Sequence, residues 1–193
     1  MSRFARRVSL SLLVAILGGS AVRAQRSSDP QSSFEPRSGP GAGQKFLEKL
    51  VGEWDVAKTF YPRSGDPVRS KGSCHQFMIN EGRFLESEFV FEGSAGKTTG
   101  LGIIGFEPES DRFTSVWVDS RSTRMSIRRS EAPFDGSEIV LFGRSLESGS
   151  STTTGSRTVT RLEDGGRRIL HRQYVPGPDG KEHLIMELSM TRR

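Results

Sequence analysis

Residues 83–119 read RFLESEFVFEGSAGKTTGLGIIGFEPESDRFTSVWVD. Within the first nine residues of this stretch, Leu85, Phe89 and Phe91 fall on one set of alternate positions and Glu86 and Glu88 on the other, as expected for a strand with one buried face. Leu85 and Phe89 therefore share one face, and Glu88 lies on the other. Further along, Pro108–Asp111 separates two more runs of this kind, and its residues are typical of a tight turn. Short runs joined by tight turns predict antiparallel β-structure.

The same pattern covers most of the chain and predicts ten strands. They are Trp54–Tyr61, Ser70–Ile79, Arg83–Phe91, Thr98–Phe106, Arg112–Asp119, Met125–Ser130, Glu138–Leu146, Arg157–Leu162, Arg167–Val175 and His183–Arg192. Apolar residues at helical spacing predict one short helix before them, over Gln44–Val51. Most connections have hairpin length, and Leu146–Ser156 is the long polar exception. We expect an all-β meander that closes into a barrel, because closure removes exposed strand edges; a two-sheet sandwich, which needs longer crossovers, is the alternative.

The N-terminal residues 1–24 have the features of a signal peptide. A short basic segment precedes an apolar run over residues 8–17, and Val22–Ala24 ends in a small residue suited to cleavage. Residues 25–43 contain three prolines and almost no apolar side chain, a composition that predicts a disordered leader. We therefore expect an exported protein, periplasmic or extracellular, with one barrel domain over 44–193 and no membrane insertion after cleavage.

The net charge of +5 is only weak evidence that the chain binds nucleic acid. The first 24 residues hold four of the 28 basic residues and none of the 23 acidic ones, so the remainder is nearly neutral. Nucleic-acid binding relies on a concentrated positive surface. We therefore expect no nucleic-acid partner, and we interpret the doublets Arg128-Arg129 and Arg167-Arg168 as solvent-facing.

Several strings of the sequence resemble one bacterial family of small, often exported proteins, the domain of unknown function fifteen-seventy-nine. In chain order they are Gly52-Glu-Trp54, Gly82-Arg-Phe-Leu-Glu86, Gly100-Leu-Gly-Ile-Ile-Gly-Phe106, Val116-Trp-Val-Asp-Ser-Arg-Ser-Thr123 and Gly177-Pro-Asp-Gly-Lys181. The likeness extends from Phe46 to Arg193 and implies a lipocalin-like or nitrobindin-like barrel with no established activity.

The resemblance also implies roles for individual residues. In barrels that begin with Gly-x-Trp, the indole closes one end and an arginine of the last strand lies over it, which assigns these roles to Trp54 and Arg192. Nitrobindin-like barrels carry haem on a single histidine near the C-terminus. The last strand here has its histidine, His183, at its beginning, so haem is disfavoured and no cofactor is expected. If haem were bound, His171 or His183 would be the available ligand.

Other chemical motifs are weak. Gly93–Thr98 imitates a phosphate-binding loop, but a strand rather than a helix follows it. The three histidines show no metal-ligand spacing, and we expect no metal. The lone Cys74 has no disulfide partner, and we expect it to be buried, with His75 on the opposite face of its strand.

The strongest candidate for a ligand site is the corner that follows the strand Arg112–Asp119. Trp117 and Asp119 share one face of that strand, and the polar residues Ser122 and Thr123 follow at the turn. Trp offers stacking area and Asp an orienting acceptor, the combination expected for an amphipathic ligand. The competing interpretation is that Asp119 only accepts N–H groups of its own turn.

Three functions follow from a barrel of this size, whose interior is either filled by side chains or occupied by a ligand. The leading hypothesis is a non-enzymatic binder of a small, partly apolar molecule. The second is an enzyme in which Asp119 or Glu88 forms an acid/base pair with His171 inside the barrel. The third is a structural or protein-interaction barrel with a filled interior.

Overall fold

The computed structural model of the chain describes residues 30–34, 37–93, 96–146 and 153–193. Residues 1–37 and 38–193 are two separate units. The predicted signal peptide, residues 1–24, lies outside the described residues, and the first unit contributes the short 3-10 helix Pro30–Ser33. Among the described residues, no helix has both the length and the apolar character that crossing a membrane requires.

The second unit contains, in its described residues, one α-helix, ten strands and a short 3-10 helix, Asp164–Gly166, between the eighth and ninth strands. The α-helix and the strands are α1 (Ala42–Glu48), β1 (Gly52–Phe60), β2 (Val68–Ile79), β3 (Phe84–Gly93), β4 (Gly96–Glu107), β5 (Arg112–Asp119), β6 (Ser122–Arg129), β7 (Glu138–Leu146), β8 (Thr153–Glu163), β9 (Arg168–Pro176) and β10 (Glu182–Arg192). Each strand pairs antiparallel with the next one, and β10 pairs with β1. The predicted ten-stranded antiparallel barrel with a short N-terminal helix is therefore confirmed, and the sandwich is not formed.

Helix α1 begins two residues earlier than the sequence predicts, because contacts with the barrel fix its first turn. The backbone N–H of Gly41 donates to Oε1 of Gln44 at 2.6 Å, and Nε2 of Gln44 donates to the carbonyl of Phe106 at 2.9 Å. Gly43 lies so close to the Phe106 ring that a Cβ there would be 2.2 Å from a ring carbon. Packing onto β4 thus determines where the helix begins, and the spacing of apolar residues in the sequence does not reveal these contacts.

Strands β6 and β8 begin earlier than predicted, at Ser122 and Thr153, and β10 contains a bulge. Strand β8 begins at Thr153, so part of the expected polar loop Leu146–Ser156 is paired with β7. On β10 a bulge falls between Leu184 and Met186 and places Leu184 opposite Tyr174 on the outer face. Strict alternation along the predicted strand would align Leu184 with Met186, Leu188 and Met190, but a bulge reverses the alternation of faces, so this alignment does not hold at Leu184.

The barrel is closed at the end where β1 begins. Trp54 is fully buried, and its Nε1 donates to the carbonyl of Leu50 at 3.0 Å. The guanidinium carbon of Arg192 lies 4.2 Å from the centre of the indole. Two nitrogens of the same guanidinium donate to the carbonyls of Val51 and Lys49, at 2.6 and 2.9 Å. The predicted stacking of Arg192 on Trp54 is confirmed, and the arginine also ties the last strand to the turn after α1.

The pairing of β6 with β7 is much shorter than the other strand pairings. Among the described residues it is limited to Arg128 opposite Gly143 and Arg129 opposite Phe142. On its other side β6 pairs with β5, with a register shift between Trp117 and Asp119. The barrel therefore has one weakly paired seam, the β6–β7 seam.

Candidate functional site: the inner face of the barrel

The end closed by Trp54 carries an apolar floor inside the barrel. Its buried members come from many strands, and we call them the floor: Trp54, Phe106, Phe113, Ile139, Ile169 and Met190. Phe106 and Phe113 lie 4.9 Å apart between ring centres, and Leu47 of α1 is packed into the same cluster. Burial of this many large apolar side chains is the main stabilising contribution of this end of the barrel.

A band of polar side chains lies above the floor on the same inner face. Register identifies it, because residues opposite one another on neighbouring strands point to the same side. His171 and Thr160 are opposite each other and lie between Leu188 and Ile139, which are both buried core residues. The same reasoning applies to the rest of this band, which we call the polar belt: Ser115, Arg128, Thr158, Thr160, His171 and Gln173.

Most members of the polar belt keep accessible surface although they point inward. Thr158 is buried, but the other five members are only half-buried although their side chains point inward. The surface that they retain faces the lumen. A polar wall with accessible surface above an apolar floor is a typical lining for an amphipathic ligand.

Arg128 is the most unusual member of the belt. Its aliphatic stem lies over Gly143, where an added Cβ would be 2.8 Å from Cγ of the arginine. Its Nε is buried without a hydrogen-bond partner, and no ion pair or side-chain hydrogen bond joins it to any other described residue. Burial lowers the pKa of Arg128. The sequence interpretation of the doublet as solvent-facing is wrong for Arg128 and holds for the exposed Arg129.

The arginines on the outer face of the neighbouring strands behave differently. Each is matched by a carboxylate: Arg157 by Glu182, Arg161 by Glu138, Arg168 by Glu163 and Arg172 by Glu187. Besides Arg128, two buried side-chain atoms of the described residues lack a partner, Nε of Arg112 and Oε1 of Gln76. Gln76 lies on the inner face, where its Nε2 donates to Ser87 at 2.9 Å. Two of these three unmatched atoms therefore face the lumen.

His171 is neutral at ordinary pH in this environment. Its Nδ1 lies 2.8 Å from Oγ1 of Thr160. Burial, followed by the charge of Arg128, lowers the pKa of His171 to about 4. Of the two histidines considered for haem, His183 is bonded to Asp179 at 3.0 Å with 53% of its side chain exposed, which does not fit an enclosed ligand. His171 has the interior position that such a role requires.

The structure brings two of the predicted site residues, Trp117 and Asp119, into direct contact. Trp117 covers Gly100 and Gly102 on the inner face and meets Phe89 edge-to-face at 5.5 Å. Its Nε1 donates to Oδ2 of Asp119 at 3.1 Å. Gly100 is required for this packing, because a Cβ there would lie 2.3 Å from the indole.

Asp119 is also used by its own turn, as the competing interpretation holds. Its Oδ1 accepts the backbone N–H of Arg121 at 2.9 Å. Partial burial would raise the pKa of Asp119, but the hydrogen bonds from Arg121 and Trp117 hold that pKa below its ordinary value. Ser122 and Thr123 are exposed at the corner. A groove of about 400 Å³ borders Asp119, but the outward-facing Glu88, Leu101 and Val118 also line it, so it lies on the outside of the barrel. Ligand binding by the four predicted residues stays a prediction.

Lys58 is an inward cation near this corner that the sequence analysis did not identify. It shares the inner face of β1 with Val56, and its Nζ lies 4.7 Å from the centre of the Phe91 ring. Burial, with a smaller contribution from Arg121, lowers the pKa of Lys58. Strict alternation from Trp54 along β1 would have placed this lysine inside.

The acid/base pairs considered for an enzyme are not formed. Glu88 is exposed on the outer face, where Oε2 lies 3.7 Å from Nδ1 of His75. Asp119 is bonded to Trp117 and Arg121, as described above, and His171 to Thr160. No cluster of three or more metal-ligating side chains occurs within the described residues.

Cys74 and His75 are arranged as predicted. Cys74 is 1% exposed and belongs to the core, and His75 is exposed on the other face of β2. Burial raises the pKa of the Cys74 thiol, with further contributions from Glu53 and Glu88. A buried thiol with a raised pKa is unreactive, so Cys74 is a core residue.

Comparison with known proteins supports the fold. A family model described as a protein of unknown function, DUF1579, matches residues 39–192. The crystal structure of Rv2717c from M. tuberculosis is similar at a TM-score of 0.59 with 14% identity, covering 81% of this chain and 99% of that one. The S-type phycobiliprotein lyase CPES from Guillardia theta is similar at a TM-score of 0.51 with 8% identity, covering 78% of this chain and 92% of that one. No curated protein matches the sequence significantly.

Proposed function

Since this chain belongs to the DUF1579 family, whose description assigns no function, we propose from the barrel itself that it binds a small, partly apolar molecule in its lumen without transforming it. The observation that carries this proposal is the half-buried, inward-facing polar belt above the apolar floor. A barrel stabilised only by a filled interior would bury inward polar groups against partners. Here Nε of Arg128 and Oε1 of Gln76 lack them.

The enzyme hypothesis has less support. General acid–base catalysis needs a titratable pair within hydrogen-bond reach of the reacting atoms. Among the described residues His171 faces a hydroxyl and a cation, and no carboxylate acts on it. One structural neighbour is named as a lyase, but at 8% identity the likeness concerns the fold.

A neutral fluorescent probe tests lumenal binding independently of charge. We expect Nile red to bind the purified barrel with one probe per chain, with a rise in fluorescence that decan-1-ol reverses. Ser115→Phe fills the lumen at the belt and should abolish this binding. Thr114→Phe, one residue away on the outer face, is the matched control and should leave it intact. Equal binding by both variants would contradict a lumenal site.

We also propose that the protein is exported after removal of residues 1–24. The support is the basic segment, apolar run and small residue before position 25 in the sequence. N-terminal sequencing of the protein from a periplasmic or culture fraction should give Gln25 as the first residue. A mature protein that retains Met1 would contradict the proposal.

A further inference from the structure

Building on the proposed lumenal binding, we propose that the ligand carries an oxyanionic head group, a carboxylate or a phosphate, and that Arg128 binds this group inside the barrel. The apolar part of the ligand then contacts the aromatic wall formed by Trp117, Phe89 and Phe91. The ligand class is therefore an amphipathic organic anion.

The first support is the absence of a carboxylate beside Arg128 within the part of the chain that the structure describes. A guanidinium presents five donors in a fixed planar arrangement that fits a carboxylate or a phosphate with two hydrogen bonds. Four arginines on the outer face have such a partner in Glu182, Glu138, Glu163 and Glu187. Arg128, which is withdrawn further from solvent, has neither a carboxylate nor a hydrogen bond to a described side chain.

The second support is the charge of the surrounding inner wall. The polar belt contains no acidic residue, and its one histidine is uncharged. The inward carboxylate of Asp119 is already bonded to Trp117 and Arg121. Lys58 adds a second inward cation nearer to the Asp119 corner. Within the part of the chain that the structure describes, an anion entering this lumen therefore meets the cations of Arg128 and Lys58 and a carboxylate that is already engaged.

The third support is the position that Gly143 gives to the arginine. Because Gly143 has no side chain, the stem of Arg128 lies across β7. Register places Arg128 opposite Gly143 and Ser115 on the inner face, and its charge contributes to the lowered pKa of His171 on the same face. The hydroxyls of this inner face are further donors for an oxyanion. The arrangement places a cation over the lumen instead of extending it into solvent.

The test compares probes that differ in the head group alone. Decanoate, decyl phosphate and decan-1-ol are titrated into the full-length mature protein by isothermal calorimetry, well below their micellar concentrations. We expect at least one of the two anions to bind about 10- to 100-fold more tightly than the alcohol, the range of a charge-assisted hydrogen bond. The anion that binds more tightly distinguishes a carboxylate ligand from a phosphate ligand.

The matched variants are Arg128→Met and Arg129→Met, which remove neighbouring charges from opposite faces of β6. Arg128→Met should lower anion affinity to that of the alcohol and leave alcohol affinity unchanged, and Arg129→Met should behave as the wild type does. Arg128→Lys, which keeps a charge without the planar donor pair, should retain part of the preference. Circular dichroism of each variant establishes that the barrel is folded.

Each outcome decides a different point. If the alcohol and both anions bind equally, and Arg128→Met changes nothing, the proposal for Arg128 is overturned while lumenal binding stands. If none of the probes binds, and Nile red does not bind either, the proposed function itself fails. An anion preference that Arg129→Met removes and Arg128→Met does not would assign the anion to the outer surface and would also overturn the proposal.

Discussion

Replacing Arg192 should destabilise the barrel strongly although its side chain is only partly buried. Its guanidinium stacks on Trp54 at 4.2 Å and donates to the carbonyls of Lys49, Val51 and Gly166 at 2.9, 2.6 and 3.0 Å. A hydrogen bond from a charged donor contributes about 1.5–3 kcal/mol when buried, and a cation–π contact about 0.5–2 kcal/mol. Because water reaches part of the guanidinium, we expect Arg192→Met to lower the free energy of unfolding by about 3–5 kcal/mol.

The measurement is urea unfolding followed by circular dichroism, with the slope of the transition compared between variants to check for a change in the unfolding reaction. Arg193→Met is the matched control, since Arg193 is adjacent and half exposed and bonds Asp55 at 2.8 Å. An exposed ion pair of this kind contributes about 0–1 kcal/mol. If Arg192→Met costs no more than Arg193→Met, the arginine does not hold the end of the barrel closed and this reasoning is refuted.

Three further predictions concern the floor, the belt and the seam. Trp54→Ala should lower the free energy of unfolding by about 3–5 kcal/mol in the same urea assay, as a large-to-small change in a core does; retention of wild-type stability would show that the indole does not close the barrel. Because the folded pKa of His171 is about 4, below the ordinary 6.5, the unfolded chain binds more protons between these values, and stability should fall as pH drops from 6.5 to 4, by at most about 1.4 kcal/mol per pH unit. His171→Gln should remove this part of the pH dependence in parallel denaturation curves, and an unchanged curve would contradict it. Backbone amides of β6 should exchange with deuterium faster than those of β3, which is fully paired on both sides; equal protection would mean that the seam is as stable as the other pairings.

Most of the fold follows from local patterns. Alternation alone places Phe113, Ser115, Trp117 and Asp119 on one face of β5, and the structure has them on the inner face. Hairpin-length connections predict the order of the strands, because neighbours in sequence then become neighbours in the sheet. Both features can be predicted from the local sequence, without information on how the strands pair.

The features that the sequence analysis missed depend on contacts between strands. A pair of arginines is ordinarily solvent-facing, yet alternation requires one of the two to point inward, and register across β5 and β7 selects Arg128. The bulge before Met186 depends on pairing with β9 in the same way. Charge and composition predict the environment in which a residue type is usually found. They therefore give a wrong prediction for a residue such as Arg128, whose position in the fold is unusual.

The β6–β7 seam has a consequence for how binding and stability are linked. Arg128 is one of the two β6 residues that pair across the seam, so separating these strands would displace the cation proposed to hold the ligand. A solute held by Arg128 from inside would oppose that separation, and only the closed barrel would bind it well. Bound ligand would then stabilise the β6–β7 seam, the shortest pairing among the described strands. Separation of these strands would become rarer as ligand concentration rises, and the thermal unfolding temperature of the barrel would increase with it.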